Sequence, residues 1–165
     1  MKKLLMIFLS VFIFNISYST LDSDFKVIES KNTLDIENLK IDINRSSESD
    51  MLKSGISKSY VDKIIEYRNI TGGFIELKDM IRISGIGKKT YEKLKVKFSE
   101  PEKIRLKTFN INSSSDKVLI YYGFSKKEIK KIREFQKKEK IRNNLEMKKF
   151  ISNKKYEKLK DYIRY

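Results

Sequence analysis

Apolar residues after residue 40 recur at spacings of three and four, with polar residues between them. In the stretch 58–70, Val61, Ile64 and Ile65 form one apolar stripe, which is the pattern of an amphipathic helix. Alternation typical of strands occurs only at 41–43 and 109–111, and both segments are too short to build a sheet. The pattern therefore predicts an all-α fold, with helices over about 47–54, 58–70, 76–83, 88–98, 115–122, 126–138, 145–151 and 154–165.

The pattern occurs twice along the chain. Four segments recur at an offset of 68 or 65 residues: 41–47 as 109–115, 55–58 as 123–126, 64–68 as 132–136, and 91–95 as 156–160. An internal repeat of this length indicates two copies of one structural unit. The only proline, Pro101, marks the boundary between them. We therefore predict two four-helix units, 41–100 and 101–165.

Two corners between predicted helices combine glycine with isoleucine, as Gly55-Ile56-Ser57 and Gly85-Ile86-Gly87. Glycine accepts the positive φ that a tight helix corner needs, and the isoleucine can point inward. The helix that follows begins with amides that have no internal partner, and its dipole adds partial positive charge there. A phosphate fits such a site. An ordinary helix corner with a glycine cap has the same pattern, so this alternative stays open.

Residues 41–98 resemble the ComEA-type tandem helix-hairpin-helix domain, the secreted or membrane-tethered DNA receptor of bacterial competence. The shared pattern has five parts. They are Ile-x-x-Asn with serines at 41–47, the first hairpin at 55–57, Ile-Ile-x-Tyr-Arg at 64–68, Gly-x-Phe with leucine and an acid at 72–79, and the second hairpin at 85–87. The resemblance implies sequence-independent binding of double-stranded DNA during uptake, with proteins of the uptake machinery as further partners.

The resemblance and the repeat together place the DNA contacts at three hairpins. The predicted contact residues are Gly55, Ile56, Ser57, Lys58, Gly85, Ile86, Gly87, Lys88, Lys89, Thr90, Gly123, Ser125, Lys126 and Lys127. The first hairpin has Ser57 where the family has a second glycine, and we expect its hydroxyl to cap the following helix. At the fourth equivalent position stands Phe150, which cannot easily take a positive φ, so we expect that corner to be structural.

Charge supports a polyanionic partner. The chain has 37 Lys and Arg against 22 Asp and Glu, a formal net charge of +15. Residues 41–100 hold 12 basic and 9 acidic residues, and 101–165 hold 20 and 8. We therefore expect hairpin amides to hold phosphates while the lysine-rich second unit adds diffuse attraction. A solvated helix face is the other interpretation of the lysines in 126–138. Core packing is the expected role of the aromatic residues at helical core spacing, and stacking on bases is the alternative; these residues are Tyr67, Phe74, Tyr91, Phe135 and Tyr156.

The residue inventory argues against an enzyme. The chain has no Cys and no His, which excludes disulfides, zinc fingers and catalysis by either residue. Its carboxylates are scattered and do not form a cluster that would hold a catalytic metal. We predict no catalytic residue, no metal and no cofactor. The alternative to a DNA receptor is an exported scaffold that binds a protein partner or an anionic surface.

The N-terminus is typical of an export signal. Lys2 and Lys3 precede an apolar run from Leu4 to Ile16, which is shorter than the roughly 20 residues that span a bilayer. Cleavage after Ser19 gives a periplasmic or extracellular protein, and an uncleaved N-terminus gives a membrane-anchored one. We predict a signal peptide or anchor at 1–19 and a linker at 20–40.

Overall fold

The computed structural model of the protein describes residues 40–165. The predictions for residues 1–39, a signal peptide or anchor and most of a linker, lie outside the described residues. The described chain is mostly helical, as predicted. Its first part contains α1 (Glu48–Lys53), α2 (Lys58–Thr71), a 3₁₀ helix (Leu77–Arg82) and α3 (Lys88–Lys95); its second contains α4 (Asp116–Tyr121), α5 (Lys126–Gln136), α6 (Asn144–Met147) and α7 (Asn153–Leu159).

Each set of helices is preceded by one two-residue strand and followed by another. The strands are β1 (Ile41–Asp42), β2 (Phe98–Ser99), β3 (Phe109–Asn110) and β4 (Ile163–Arg164). β1 pairs with β2 and β3 pairs with β4, both in parallel. The expectation that the segments at 41–43 and 109–111 are too short to build a sheet is therefore wrong, since each forms a two-stranded one. The order strand, four helices, strand thus occurs in residues 41–99 and again in residues 109–164.

These strands correct the prediction at two helix ends. The sequence pattern extended helices to residue 98 and to residue 165, whereas α3 ends at Lys95 and α7 ends at Leu159. Phe98 and Ile163 follow in extended backbone, where both side chains are buried. A strand pairs with a segment far away along the chain, so the apolar period of the preceding helix does not reveal it.

The helix boundaries in between have local causes. Ser47 accepts a hydrogen bond from the amide of Asp50 and starts α1. Gly72, with φ of +93°, ends α2 in the left-handed conformation. The predicted third helix is a 3₁₀ helix, whose first turn is held by the carboxylate of Asp79.

Each set of helices has its own apolar core. In the first, the rings of Tyr67 and Phe74 stack at 4.3 Å between centroids, and both are fully buried. In the second, Phe109 packs against Tyr122 at 4.1 Å. Tyr156 is also buried. The expected core packing is confirmed for Tyr67, Phe74 and Tyr156, whereas Tyr91 and Phe135 are half-buried and pack against the two cores.

The two sets are in direct contact. Tyr121, from α4, lies in the core of the first set, with its ring 4.9 Å from that of Tyr67. The Tyr67 hydroxyl donates to the Tyr121 carbonyl at 3.2 Å, and burial raises the pKa of that hydroxyl. The amide of Lys107 donates to the carbonyl of Thr71 at 2.7 Å. Among residues 40–165, no helix is long and apolar enough to span a bilayer.

Candidate nucleic-acid interface

The first glycine corner is exposed and open. Gly55 has φ of +78°, and a Cβ built there would have no atom within 4 Å. Ile56 points inward at 3% exposure, and its amide donates to the Met51 carbonyl at 3.1 Å. The Ser57 hydroxyl makes no capping hydrogen bond, so the expectation that it caps α2 is wrong. The first amides of α2 therefore have no side-chain acceptor among the described residues.

The second corner has the same form. Gly85 has φ of +87°, and Ile86 is buried with its amide donated to the Ile83 carbonyl at 3.0 Å. Gly87 is exposed at the N-cap of α3, with φ of −81° and ψ of 178°, and has open space around it. The buried isoleucine fixes the corner, as predicted, and the glycine leaves the start of α3 accessible. Beyond it, Lys88 and Lys89 are exposed and Thr90 is half-buried.

Lys63 is a residue of this corner that the sequence pattern does not reveal. It belongs to α2, yet its ammonium nitrogen lies 2.7 Å from the position that a Cβ on Gly85 would occupy. No salt bridge joins Lys63 to an acid in the part of the chain that the structure describes. Its distance from Gly85 along the chain hides it, because only the packing of α2 against the second corner brings the two together.

The caps of the helices distinguish the two open corners from the other helix starts. Seven α-helices lie in residues 40–165. Five of them begin with a side chain that accepts a hydrogen bond from the first turn, namely Ser47, Ser115, Ser125, Asn143 and Ser152. The two without such a cap are α2 and α3, which follow the glycine corners. Uncapped first-turn amides are donors that an external anion can use.

The third corner is different. Gly123 has φ of +88° and Phe124 is buried, so the backbone has the same shape. However, the Ser125 amide already donates to the Glu128 carboxylate at 2.7 Å, which forms a capping box with the Ser125 hydroxyl. The structure thus does not present this amide to a ligand, although Lys126 and Lys127 are exposed beside it. DNA contact at this corner stays a prediction.

The fourth position has no glycine corner. Positive φ in the described residues is confined to glycines. Phe150 is half-buried, Ile151 is buried, and Ser152 caps α7 by accepting from the Lys155 amide. This arrangement agrees with the expected structural role.

Charge also separates the two open corners. Lys58, at the first, is ion-paired with Asp62 and with Glu48, the latter at 3.0 Å. Hydrogen bonds to these carboxylates, Asp62 first, raise the pKa of Lys58. Lys88 and Lys89, at the second, have no acidic partner within 4.0 Å among residues 40–165. The second corner therefore has more uncompensated positive charge.

Comparison with known families identifies a motif in the first set of helices. Residues 37–99 match the model of the helix-hairpin-helix motif. The match includes both open corners, and it ends before the second set of helices begins. Searches of curated proteins and of solved structures gave no match. The first set of helices thus contains a helix-hairpin-helix motif, which supports nucleic-acid binding by this part of the chain.

Proposed function

We propose that the protein is an exported, sequence-independent binder of double-stranded DNA that acts as a receptor in DNA uptake. The observation that carries the binding part is the pair of exposed glycine corners that open uncapped helices within the matched helix-hairpin-helix motif. Export is supported by the basic and apolar N-terminus, and the uptake role by the resemblance to ComEA-type receptors. The 68-residue repeat supports reading residues 101–165 as a diverged second unit.

The proposed site binds phosphate groups of the DNA backbone and does not contact base edges. The first-turn amides of α3 provide donors in fixed directions, and the helix dipole favours an anion there. Lys63, Lys88 and Lys89 neutralise phosphate charge around the same corner. Contacts of this kind position a protein on the duplex but carry no base information. The first corner, where acids already pair with Lys58, contributes mainly through backbone amides.

Charge reversal at the second corner tests this function. Lys88→Glu with Lys89→Glu in the full chain should weaken binding to a random-sequence duplex about tenfold or more, since two phosphate contacts are lost and repulsion replaces them. Electrophoretic mobility shift or fluorescence anisotropy at fixed salt measures the dissociation constant.

The matched control is Lys40→Glu with Lys97→Glu. It makes the same change in net charge at two exposed residues that directly precede β1 and β2, beyond the C-terminal end of α3, and should cost less than about threefold. Equal losses in the two variants would mean that binding follows net charge alone. Full affinity in the Lys88→Glu, Lys89→Glu variant would favour the scaffold alternative.

A further inference from the structure

The third glycine corner is closed by groups from elsewhere in the chain. The Arg82 guanidinium lies against Gly123, so that a Cβ there would be 3.3 Å from Cζ and 3.4 Å from Nη2. The Lys155 ammonium donates to the Gly123 carbonyl at 3.0 Å and also pairs with Glu128 at 2.6 Å. Because Gly123 has no side chain, an arginine from the first set of helices can lie close to the backbone at this corner.

Arg82 makes two further contacts with the same guanidinium. Its Nη2 pairs with a carboxylate oxygen of Asp79 at 2.9 Å, and its Nη1 donates to the Tyr121 carbonyl at 3.1 Å. Asp79 is only 3% exposed, so Arg82 provides the counter-charge for a buried acid. The planar fork of an arginine can pair with the carboxylate, donate to the carbonyl and lie flat on Gly123 at once, whereas a lysine ammonium cannot.

The position of Arg82 in the chain gives this contact a consequence for binding. Arg82 precedes Gly85 of the second open corner by three residues, and Gly123 precedes Lys126 of α5 by three residues. The contact of Arg82 with Gly123 thus connects the open corner to the start of α5. The lysine face of α5, defined as Lys126, Lys127 and Lys131, is exposed and has no acidic partner within 4.0 Å in the described part of the chain.

We propose that Arg82 is a positioning residue that holds the lysine face of α5 in a fixed position relative to the second open corner, so that both contact one duplex as a rigid body. This inference rests on the proposed DNA binding and goes beyond it, because it assigns a role to the joint between the two sets of helices. Rigid connection removes most of the entropy cost of the second contact, so the two surfaces reinforce each other.

The inference is tested by the coupling between Arg82 and the lysine face. Lys127→Glu with Lys131→Glu is made in the full wild-type chain and in an Arg82→Lys background, which keeps the net charge. Affinity for a random-sequence duplex should fall about tenfold in the wild-type background and less than about threefold when Arg82 is replaced. Arg68→Lys is the matched background, because the Arg68 guanidinium donates to the carbonyls of Ile43 and Ser46, which belong to the first set of helices. In this background the full tenfold loss should persist.

A second variant alters the same contact at Gly123 instead of at Arg82. Gly123→Ala leaves the charge unchanged, places a Cβ against the guanidinium and strains the backbone, because alanine disfavours a φ of +88°. It should reduce the coupling as Arg82→Lys does. Circular dichroism at the assay temperature establishes which variants are folded. If the Arg82→Lys variant is unfolded, Gly123→Ala is the background in which the effect of the lysine changes is measured.

The outcomes separate the two proposals. An equal loss in all backgrounds, or no loss from the lysine changes in the wild-type background, overturns the positioning role of Arg82. A wild-type chain that does not bind duplex DNA overturns the proposed function and this inference together. Binding that depends on Lys88 and Lys89 but shows no coupling overturns this inference alone.

Discussion

Three glycines have nearly the same backbone conformation and quite different surroundings. Their φ values are +78° at Gly55, +87° at Gly85 and +88° at Gly123. Gly55 has open space around it, Gly85 lies under the tip of the flexible Lys63 side chain, and Gly123 lies under the Arg82 guanidinium. The conformation therefore explains why each residue is glycine, and the neighbours explain what each corner can bind.

Glu128 accepts the hydrogen bond of the Ser125 amide at the third corner, and the pH dependence of stability reports its protonation. Burial raises its pKa, but hydrogen bonds from Lys155 and from Ser125 lower it more, so the net pKa lies below the ordinary value of 4.5. A carboxylate whose pKa is lowered by folding stabilises the protein above its unfolded-state pKa, and this stabilisation is lost as the pH falls through the folded-state pKa.

Glu128→Gln should therefore destabilise the chain at neutral pH and matter less in acid. We expect a loss of up to about 1 kcal/mol at pH 7, kept small because the pair is partly exposed to solvent. The difference from wild type should shrink as the pH is lowered from about 5 to about 3. Urea unfolding monitored by circular dichroism at each pH measures it, and a difference that grows in acid would contradict the assignment.

At the scale of elements, the helix starts differ in how their first amides are satisfied. α5 uses the Ser125 and Glu128 capping box, whereas α2 and α3 begin without a side-chain cap. A missing cap costs helix stability. Both uncapped helices follow exposed corners, so the donors that could have stabilised the helix remain accessible to a phosphate.

Because the uncapped amides of α3 are the proposed phosphate donors, a capping residue at Gly87 should raise stability and weaken DNA binding. Its extended backbone accepts any residue, and a Cβ there meets no atom within 4 Å. Gly87→Asp should cap α3 and raise its stability by a few tenths of a kcal/mol to about 1 kcal/mol, since aspartate also suits the helix dipole. The same carboxylate occupies the phosphate position, so affinity for DNA should fall about tenfold or more.

Gly87→Ser is the control for Gly87→Asp, because it adds a cap without a charge. It should stabilise the chain to a similar degree and reduce affinity much less. Thermal unfolding and anisotropy titration of the two variants provide both measurements. Equal affinities for the aspartate and serine variants would count against an anion at this helix start.

At the scale of the whole molecule, open corners and charge are concentrated in different parts. Residues 41–100 contain both open corners with a net charge of 12 − 9 = +3, and residues 101–165 have a net charge of 20 − 8 = +12. Tyr121 and the Arg82 contacts join the two parts. Binding by the first part alone would leave most of the positive charge unused.

The salt dependence of binding measures how much of this charge contacts DNA. With about four to six phosphates neutralised, log K plotted against log salt should have a slope of about −4 to −5. Lys88→Glu with Lys89→Glu should make the slope shallower by about 1 to 2, as two phosphate contacts are lost. Titrations between low and physiological salt check both values, and a slope near zero would contradict binding through phosphates.

The sequence by itself determined the helical character of the chain, the repeat, the glycine corners and the basic charge. These depend on the spacing of apolar residues, on the φ that only glycine adopts easily, and on residue inventory, none of which requires a distant neighbour. The capping box of Ser125 and Glu128 was also readable, since the two lie three residues apart, and it was missed.

Only the tertiary structure decided which remote side chains surround each corner. Lys63 reaches Gly85 from another helix, and Arg82 reaches Gly123 across 41 residues of chain. The strand pairs also join segments far apart, Ile41 with Phe98 and Phe109 with Ile163. Such contacts form because packing brings remote segments together to bury apolar surface, and no local spacing in the sequence encodes which remote side chain arrives.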